Sequence, residues 1–341
     1  MTFRQSKRFG TAFTYFALLA LSAVFLLPFF WMVSSSFKTL NTVFEYPPNL
    51  LPMETLTVQR GSRNLKRVEY TPQPDAKPIP ALILDQRPGE FLLETEAGAA
   101  PQWVKSTGVK ILRRVRFRWE NYYDAWTAKP FSLYLFNTVF VTICCILGQV
   151  MTSSLVAFGF SRIQWPGRNL LFMLVLATMM LPGEVTMIPN YLIFRKLGWI
   201  DTFAPLIVPS YLGGGAFSIF LFRQFFMTLP RELDEAARID GCSSLGVYYH
   251  VLIPLCKPIF ATIAVFAFVG HWNDFLTPLI YLNTSDKFTL ALGLRFFQGT
   301  YNTDIHLLMA ASTLVLIPVL LVFFLGQKHF VRSIVLSGVK G

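Results

Sequence analysis

Long apolar runs separated by short polar stretches dominate the chain. Six of them cover residues 11–33, 133–160, 170–194, 203–227, 258–282 and 307–326, each matching or exceeding the ~20 apolar residues a helix needs to cross a bilayer. The pattern predicts an all-α polytopic membrane protein with six transmembrane helices. Two polar regions interrupt it. Residues 37–131 separate the first run from the second, and within about 56–117 they read as short strands: "RVEY", "ALILD", "EFLLE" and "ILRRVRFRW", divided by Pro and Gly. In the last of these Val115, Phe117 and Trp119 alternate with Arg114, Arg116 and Arg118, the period-two pattern of a half-buried strand. A small β-rich insertion between the first and second spans is expected. The chain then divides into an N-terminal segment with the first span (1–36), the long loop (37–131), a five-span core (132–330) and a tail (331–341).

The second polar region, 229–256, falls between the fourth and fifth runs. Pro230 suits the first turn of a helix, where a missing N–H costs little. Glu232, Asp234 and Glu235 place negative charge at the positive end of that helix, and Ala236 and Ala237 favour its continuation. Gly241 ends it. Ser243 then caps a second short helix that runs to about Leu252 and is ended by Pro254.

Charge fixes the expected orientation. Only 14% of residues are charged, against roughly 25% in soluble domains. The formal net charge is +11, which in a soluble protein would suggest a nucleic-acid partner. Here its distribution matters instead. With the N-terminus in the cytoplasm, the inner segments hold Arg4, Lys7, Arg8, Arg162, Arg168, Arg223, Arg231, Arg238, Lys257, Lys328, Arg332 and Lys340. The short outer loops hold only Arg195, Lys196, Lys287 and Arg295. By the positive-inside rule both termini and the 229–256 loop face the cytoplasm, the 37–131 stretch lies outside, and no nucleic acid is implied. The first run exceeds the 7–15 apolar residues of a signal peptide and no cleavage site follows it, so it reads as a retained span.

Catalytic chemistry is not written into the sequence. Cys144, Cys145, Cys242 and Cys256 form no C-x-x-C pair, and none lies in the 37–131 stretch. His250, His271, His306 and His329 show no metal-ligand spacing. There is no phosphate-binding G-x-x-x-x-G-K-[ST] loop, no H-E-x-x-H and no G-x-S-x-G. No catalytic residue, metal or cofactor of this chain's own is expected.

Glu235-Ala236-Ala237, three residues, Gly241, nine residues and then Val251-Leu252-Ile253-Pro254 resemble the EAA loop of ABC-importer permeases. That motif ends in I-x-L-P, so valine and isoleucine here replace its first and third positions. "SRIQWPGRNLLF", "LPGEVTMIPNYLIF", "LFRQFFMTLPRELDEAARIDG", "HWNDFLTPLIYL", "FVRSIVLSGVKG" and "ENYYDAW" extend the resemblance to the carbohydrate-importer subfamily, closest to its maltose-type six-span subunit. Only about 56–117 falls outside it. The resemblance implies a bacterial or archaeal inner-membrane permease subunit that imports a carbohydrate by alternating access. Its implied partners are a second, different permease subunit, a cytoplasmic ATPase dimer that uses ATP and Mg, an extracytoplasmic solute-binding protein, the sugar itself and membrane lipid. Residues Glu235, Ala236, Ala237, Asp240, Gly241 and Pro254 would belong to a coupling helix docked on the ATPase, with Glu235 meeting a basic residue there. The tail 331–341 would reach toward the ATPase dimer, and the 283–304 loop would probe the binding protein's sugar cleft. A glycerol-phosphate or polyol importer shares these features. An ion-coupled carrier would show an inverted repeat, and none is visible.

Polar groups inside spans are costly and tend to face a cavity or a partner. Glu184 and Asn190 in the third run, and Asn273 and Asp274 in the fifth, are the candidate lining of a translocation path. Counted at 1.5 Å per residue along straight helices, Glu184 sits about 21 Å and Asp274 about 24 Å from the inner end of its span. Gly213, Gly214 and Gly215 either let helices pack closely or break a helix beside a cavity.

Overall fold

The computed structural model describes residues 3–60, 63–72, 76–95, 100–299 and 303–338. The final residues of the tail, 339–341, lie outside the described residues, as do the side chains of Arg4, Lys7, Arg8, Lys328, Arg332 and Lys340. Two units are present: 1–125 with 297–313, and 126–296 with 314–341.

The first unit begins with helix α1 (Phe3–Ser36). Its apolar side chains, among them Phe16 and Phe25, are exposed, an arrangement stable against hydrocarbon and not against water. Eight antiparallel strands follow: β1 (Met53–Thr55), β2 (Thr57–Arg60), β3 (Arg63–Tyr70), β4 (Ile79–Arg87), β5 (Glu90–Thr95), β6 (Gln102–Lys105), β7 (Val109–Ile111) and β8 (Arg113–Val115). The order β2-β3-β4-β5-β6, with β7 also on β3, makes one sheet, and β1 pairs β8. Val68, Ala81, Ile83 and Leu93 share its buried face with Tyr70, Phe91, Val104, Val109 and Ile111. They meet because alternate residues of paired strands point the same way. The strand expected to reach Trp119 stops at Val115, and Val115, Phe117 and Trp119 are exposed, not half-buried. Phe37 holds Phe117 and Trp119 edge-on at 5.3 and 4.7 Å. The alternating arginines converge instead on Glu54, which pairs with Arg114, Arg116 and Arg118.

The second unit is helical. Its centre is α2 (Phe131–Ser161), which packs against the helices at 168–178, 216–228 and 257–272. Tyr134, Thr138, Val141, Cys145 and Gly148 are buried at alternating spacings of four and three, the stripe a helix needs to face a bundle. Gly148 belongs there for a steric reason, since a Cβ would stand 2.6 Å from the Tyr211 ring. The unit's longer helices include α3 (Arg168–Thr178), α4 (Gly183–Lys196), α5 (Ala216–Thr228), α6 (Glu232–Ile239), α7 (Lys257–Trp272) and α8 (Leu276–Tyr281), and α9 (Ile305–Gly338) has its residues up to 313 in the first unit and the rest in the second.

Among the described residues four helices are long and apolar enough to cross a membrane, or up to six if each sharply bent pair counts as one span. The straight spans expected from the apolar runs are corrected in three places. Residues 170–194 form two helices, α3 and α4, bent by 97°. Pro182 causes this, because it lacks an N–H and its ring excludes the helical carbonyl four residues back. The depth count along a straight helix therefore does not apply to Glu184. Residues 203–227 are broken by Gly213, Gly214 and Gly215, at φ +124°, +67° and +92°, values that favour glycine. Residues 258–282 break between Trp272 and Leu276, where Asp274 Oδ1 accepts the Thr277 amide at 3.1 Å and so starts α8. Pro254 also behaves otherwise than expected. It sits inside a further short turn, Ile253–Leu255, after a π-helical turn Tyr248–Leu252. The chain bends, by 80°, only between Leu255 and Lys257.

Candidate functional site

Two features of the helical unit carry functional chemistry: a cavity and a surface loop. The cavity holds about 740 Å³ and is lined from α2, α4, the glycine break, α7 and α8. Glu184, Asn190 and Asp274 all line it, brought together by the helix breaks. Asn273 does not; its side-chain amide donates back to the Val269 carbonyl at 2.9 Å. The lining residue Gln149 escaped the sequence reading. Gln149 donates through Nε2 to Ser218 Oγ at 2.7 Å, and its Oε1 lies 3.1 Å from His271 Nε2. With its amide nitrogen so used, Gln149 offers His271 only an acceptor, so the imidazole Nε2 carries the proton. A lone glutamine inside the 133–160 run was the available signal. No lysine or arginine lines the cavity among the described residues. Its aromatic side is Phe194, stacked on Trp199 at 5.5 Å and edge-on to Tyr281 at 5.3 Å.

At the rim, Asp201 ties two loops together. It adopts φ +60°, and its carboxylate accepts from the amides of Asn283 and Thr284, the Thr284 hydroxyl and Lys287 Nζ. The hydrogen bonds from Thr284 and then Asn283 hold this carboxyl well below the usual carboxylate range. A depressed native pKa adds stability that is complete above the unfolded value of about 3.9 and is lost only as pH falls through the lower native value. Asp201→Asn should accordingly lower the thermal midpoint of the purified protein at pH 7. The gap from wild type should persist at pH 4 and close only in stronger acid; equal midpoints at pH 7 would refute the role.

The loop presents α6, whose Glu235 and Ala236 are exposed and whose Ala237 is half-buried. Asp240 caps its end, with its amide on the Ala236 carbonyl at 3.0 Å. Gly241 reverses the chain at φ +85°, and Ser243 Oγ accepts the Gly246 amide at 3.1 Å. Pro254 is exposed. The loop is not free-standing. Tyr248 and Leu252 are buried among Phe158, Phe222 and Phe226, and the Tyr248 hydroxyl meets Ser154 Oγ at 2.6 Å. Sequence reasoning also missed the pair beneath α6, Arg162 with Asp234 at 3.0 Å, both nearly inaccessible. Seventy-two positions separate them, and no local signal links them.

A bundle whose helices break around a polar cavity, with a braced loop held out at one end, is the architecture of a membrane transport subunit. The chain belongs to the binding-protein-dependent transport system inner membrane component family, whose model matches residues 149–336. It is thus the permease subunit of an ABC importer, a multi-pass membrane component and not itself an enzyme. Over 205 residues it is 34% identical to the arabinooligosaccharides transport system permease protein AraQ of Halalkalibacterium halodurans, spanning 60% of this chain and 73% of that one. Over 225 residues it is 36% identical to the sn-glycerol-3-phosphate transport system permease protein UgpE of Pectobacterium atrosepticum, spanning 64% and 79%. A chain of a crystallised bacterial ABC transporter involved in the import of the acidic polysaccharide alginate shares the fold, with a TM-score of 0.68 over 97% of this chain and 99% of that one at 20% identity.

Proposed function

We propose that this chain is one half of a heterodimeric carbohydrate permease, working with a cytoplasmic ATPase dimer that uses ATP and Mg and with an extracytoplasmic binding protein. The chain crosses the membrane six times, bent pairs counting as single crossings, with both termini and the 229–256 loop in the cytoplasm of a bacterial or archaeal cell, a reading supported by the excess of Lys and Arg in the inner segments. The β-rich insertion lies outside. Glu235, Ala236, Ala237, Asp240, Gly241 and Pro254 form the element on which the ATPase acts. Glu184, Asn190 and Asp274 line the solute path.

The observation that carries the substrate class is the cavity's charge. Glu184 and Asp274 face it with no lysine or arginine among its described lining, a set that repels a phosphate and accepts hydrogen bonds from sugar hydroxyls. Phe194, Trp199 and Tyr281 offer the flat apolar surface that a sugar ring's C–H face covers. This favours a neutral polyhydroxylated solute over a glycerol phosphate. In the assembled transporter, binding-protein-dependent ATP hydrolysis should respond to neutral oligosaccharides and not to sn-glycerol-3-phosphate; the opposite response would refute the assignment. Combining Glu184→Gln with Asp274→Asn should slow uptake about tenfold, the equivalent of losing one charged hydrogen bond of about 1.5 kcal/mol. Unchanged uptake kinetics in a normally assembled complex would remove both residues from the path.

A further inference from the structure

The Arg162 guanidinium joins three elements at one point. Arg162 caps α2, its backbone amide on the Phe158 carbonyl at 2.9 Å. Its Nη1 donates to Asp234 Oδ2, in the first turn of α6, at 3.0 Å. Its Nη2 donates to the carbonyls of Phe226 and Leu229, at 2.5 and 3.0 Å. Phe226 lies in the last turn of α5 and Leu229 just beyond it, and the Phe226 carbonyl also accepts the Leu229 amide at 3.3 Å. The two side chains are only 3% and 11% exposed. A planar guanidinium can hold such a divergent set of acceptors; an ammonium on a flexible stem cannot hold all of them at once.

Little else fixes the start of α6 to the bundle. Around it Glu232, Leu233, Glu235 and Ala236 are exposed, and Asp234 alone in that turn is buried. A displacement of α6 can therefore reach α2 and α5 through Asp234, alongside the Tyr248–Ser154 contact of the following segment. Both helices border the cavity, α2 through Gln149 and α5 through the Gly214–Gly215 turn at its N-terminus.

We propose that Arg162 and Asp234 are positioning residues that transmit movement of α6 to the two helices flanking the cavity. Neither contacts the solute. The proposal rests on the reading of 229–256 as the element the ATPase moves, and the test separates the two. Nitroxide labels on cysteines introduced at Met180 and Leu212, beside two of the helix breaks, report the change in their separation when MgATP is added to the assembled importer. The wild-type change should fall about fivefold in Arg162→Lys and in Asp234→Asn, within the range that substitutions along a coupling network produce. Asp234→Glu should restore most of it. Asp234→Asn keeps the side-chain volume and leaves both carbonyl bonds in place, so it decides the matter if Arg162→Lys fails to assemble. A wild-type change in an assembled Asp234→Asn complex overturns the proposal, as does a lowered thermal midpoint with the label response intact. Glu235→Lys serves as the reference: if it too leaves the response unchanged, the coupling reading fails and takes this inference with it.

Discussion

Replacing Glu235 with lysine is expected to abolish ATP-driven uptake while the membrane bundle still assembles. Glu235 is exposed on α6, so its removal opens no hole in the core. A lysine in the first helical turn opposes the helix dipole and costs only about 0.3–1 kcal/mol. Against a partner surface that closes over this position the balance differs. Truncating one side of a desolvated charge pair costs about 2–5 kcal/mol, and a reversed charge adds repulsion. That amounts to a factor of up to several thousand in the productive contact, against almost none in the fold. Thermal unfolding and co-purification of the second permease should therefore match wild type, while ATPase retention and uptake collapse together. Near-normal uptake would show that α6 is not the contact.

Gly214→Val should have the largest effect on stability. A Cβ at this position would stand 2.1 Å from Ser153 Oγ, 2.5 Å from the Gln149 backbone carbonyl and 2.8 Å from Thr152 Oγ1. The hydroxyls can rotate away, but the carbonyl belongs to α2 and cannot move without the helix. The residue also sits at φ +67°, which costs an L-residue about 1–2 kcal/mol. Overpacking adds about 1–3 kcal/mol, and the displaced carbonyl carries Gln149 away from Ser218 and His271. Gly213→Ala separates the two costs, because Gly213 has φ +124° and open space where its Cβ would go. It should lower the thermal midpoint far less than Gly214→Val, and equal losses would mean that backbone strain alone is being measured.

What the sequence reveals here depends on the range of the cause. The α6–Gly241–Ser243 region was readable because its determinants act within one turn: acidic residues beside an N-terminus, a left-handed glycine, a hydroxyl on an amide three residues ahead. Breaks inside apolar runs were less readable. Hydrophobicity over 170–194, broken only by single polar positions such as Glu184 and Asn190, says nothing of a 97° bend. Only Pro182 and Gly183 mark the place. The glycine triplet was open to two readings, and it does both things: it breaks the helix, and at Gly214 it brings the backbone against α2. Glu184 and Asp274 share a cavity wall because two helices break, and not because straight helices carry them to a common depth. Alternation in 113–119 was read as burial, whereas it sorts arginines toward Glu54 and leaves aromatics around Phe37. Arg162 with Asp234, and Gln149 with His271, are long-range pairs that no window of sequence contains.

The three helix interruptions bear on hydration. Hydrocarbon cannot satisfy a backbone amide or carbonyl released from a helix, so unwound chain at membrane depth must border water or other protein. Gly183, Gly214 and Asp274, one from each interruption, line the same 740 Å³ space. The loosened peptide groups of all three interruptions therefore turn toward one shared space, where water or neighbouring protein must take up the bonds the helices gave up.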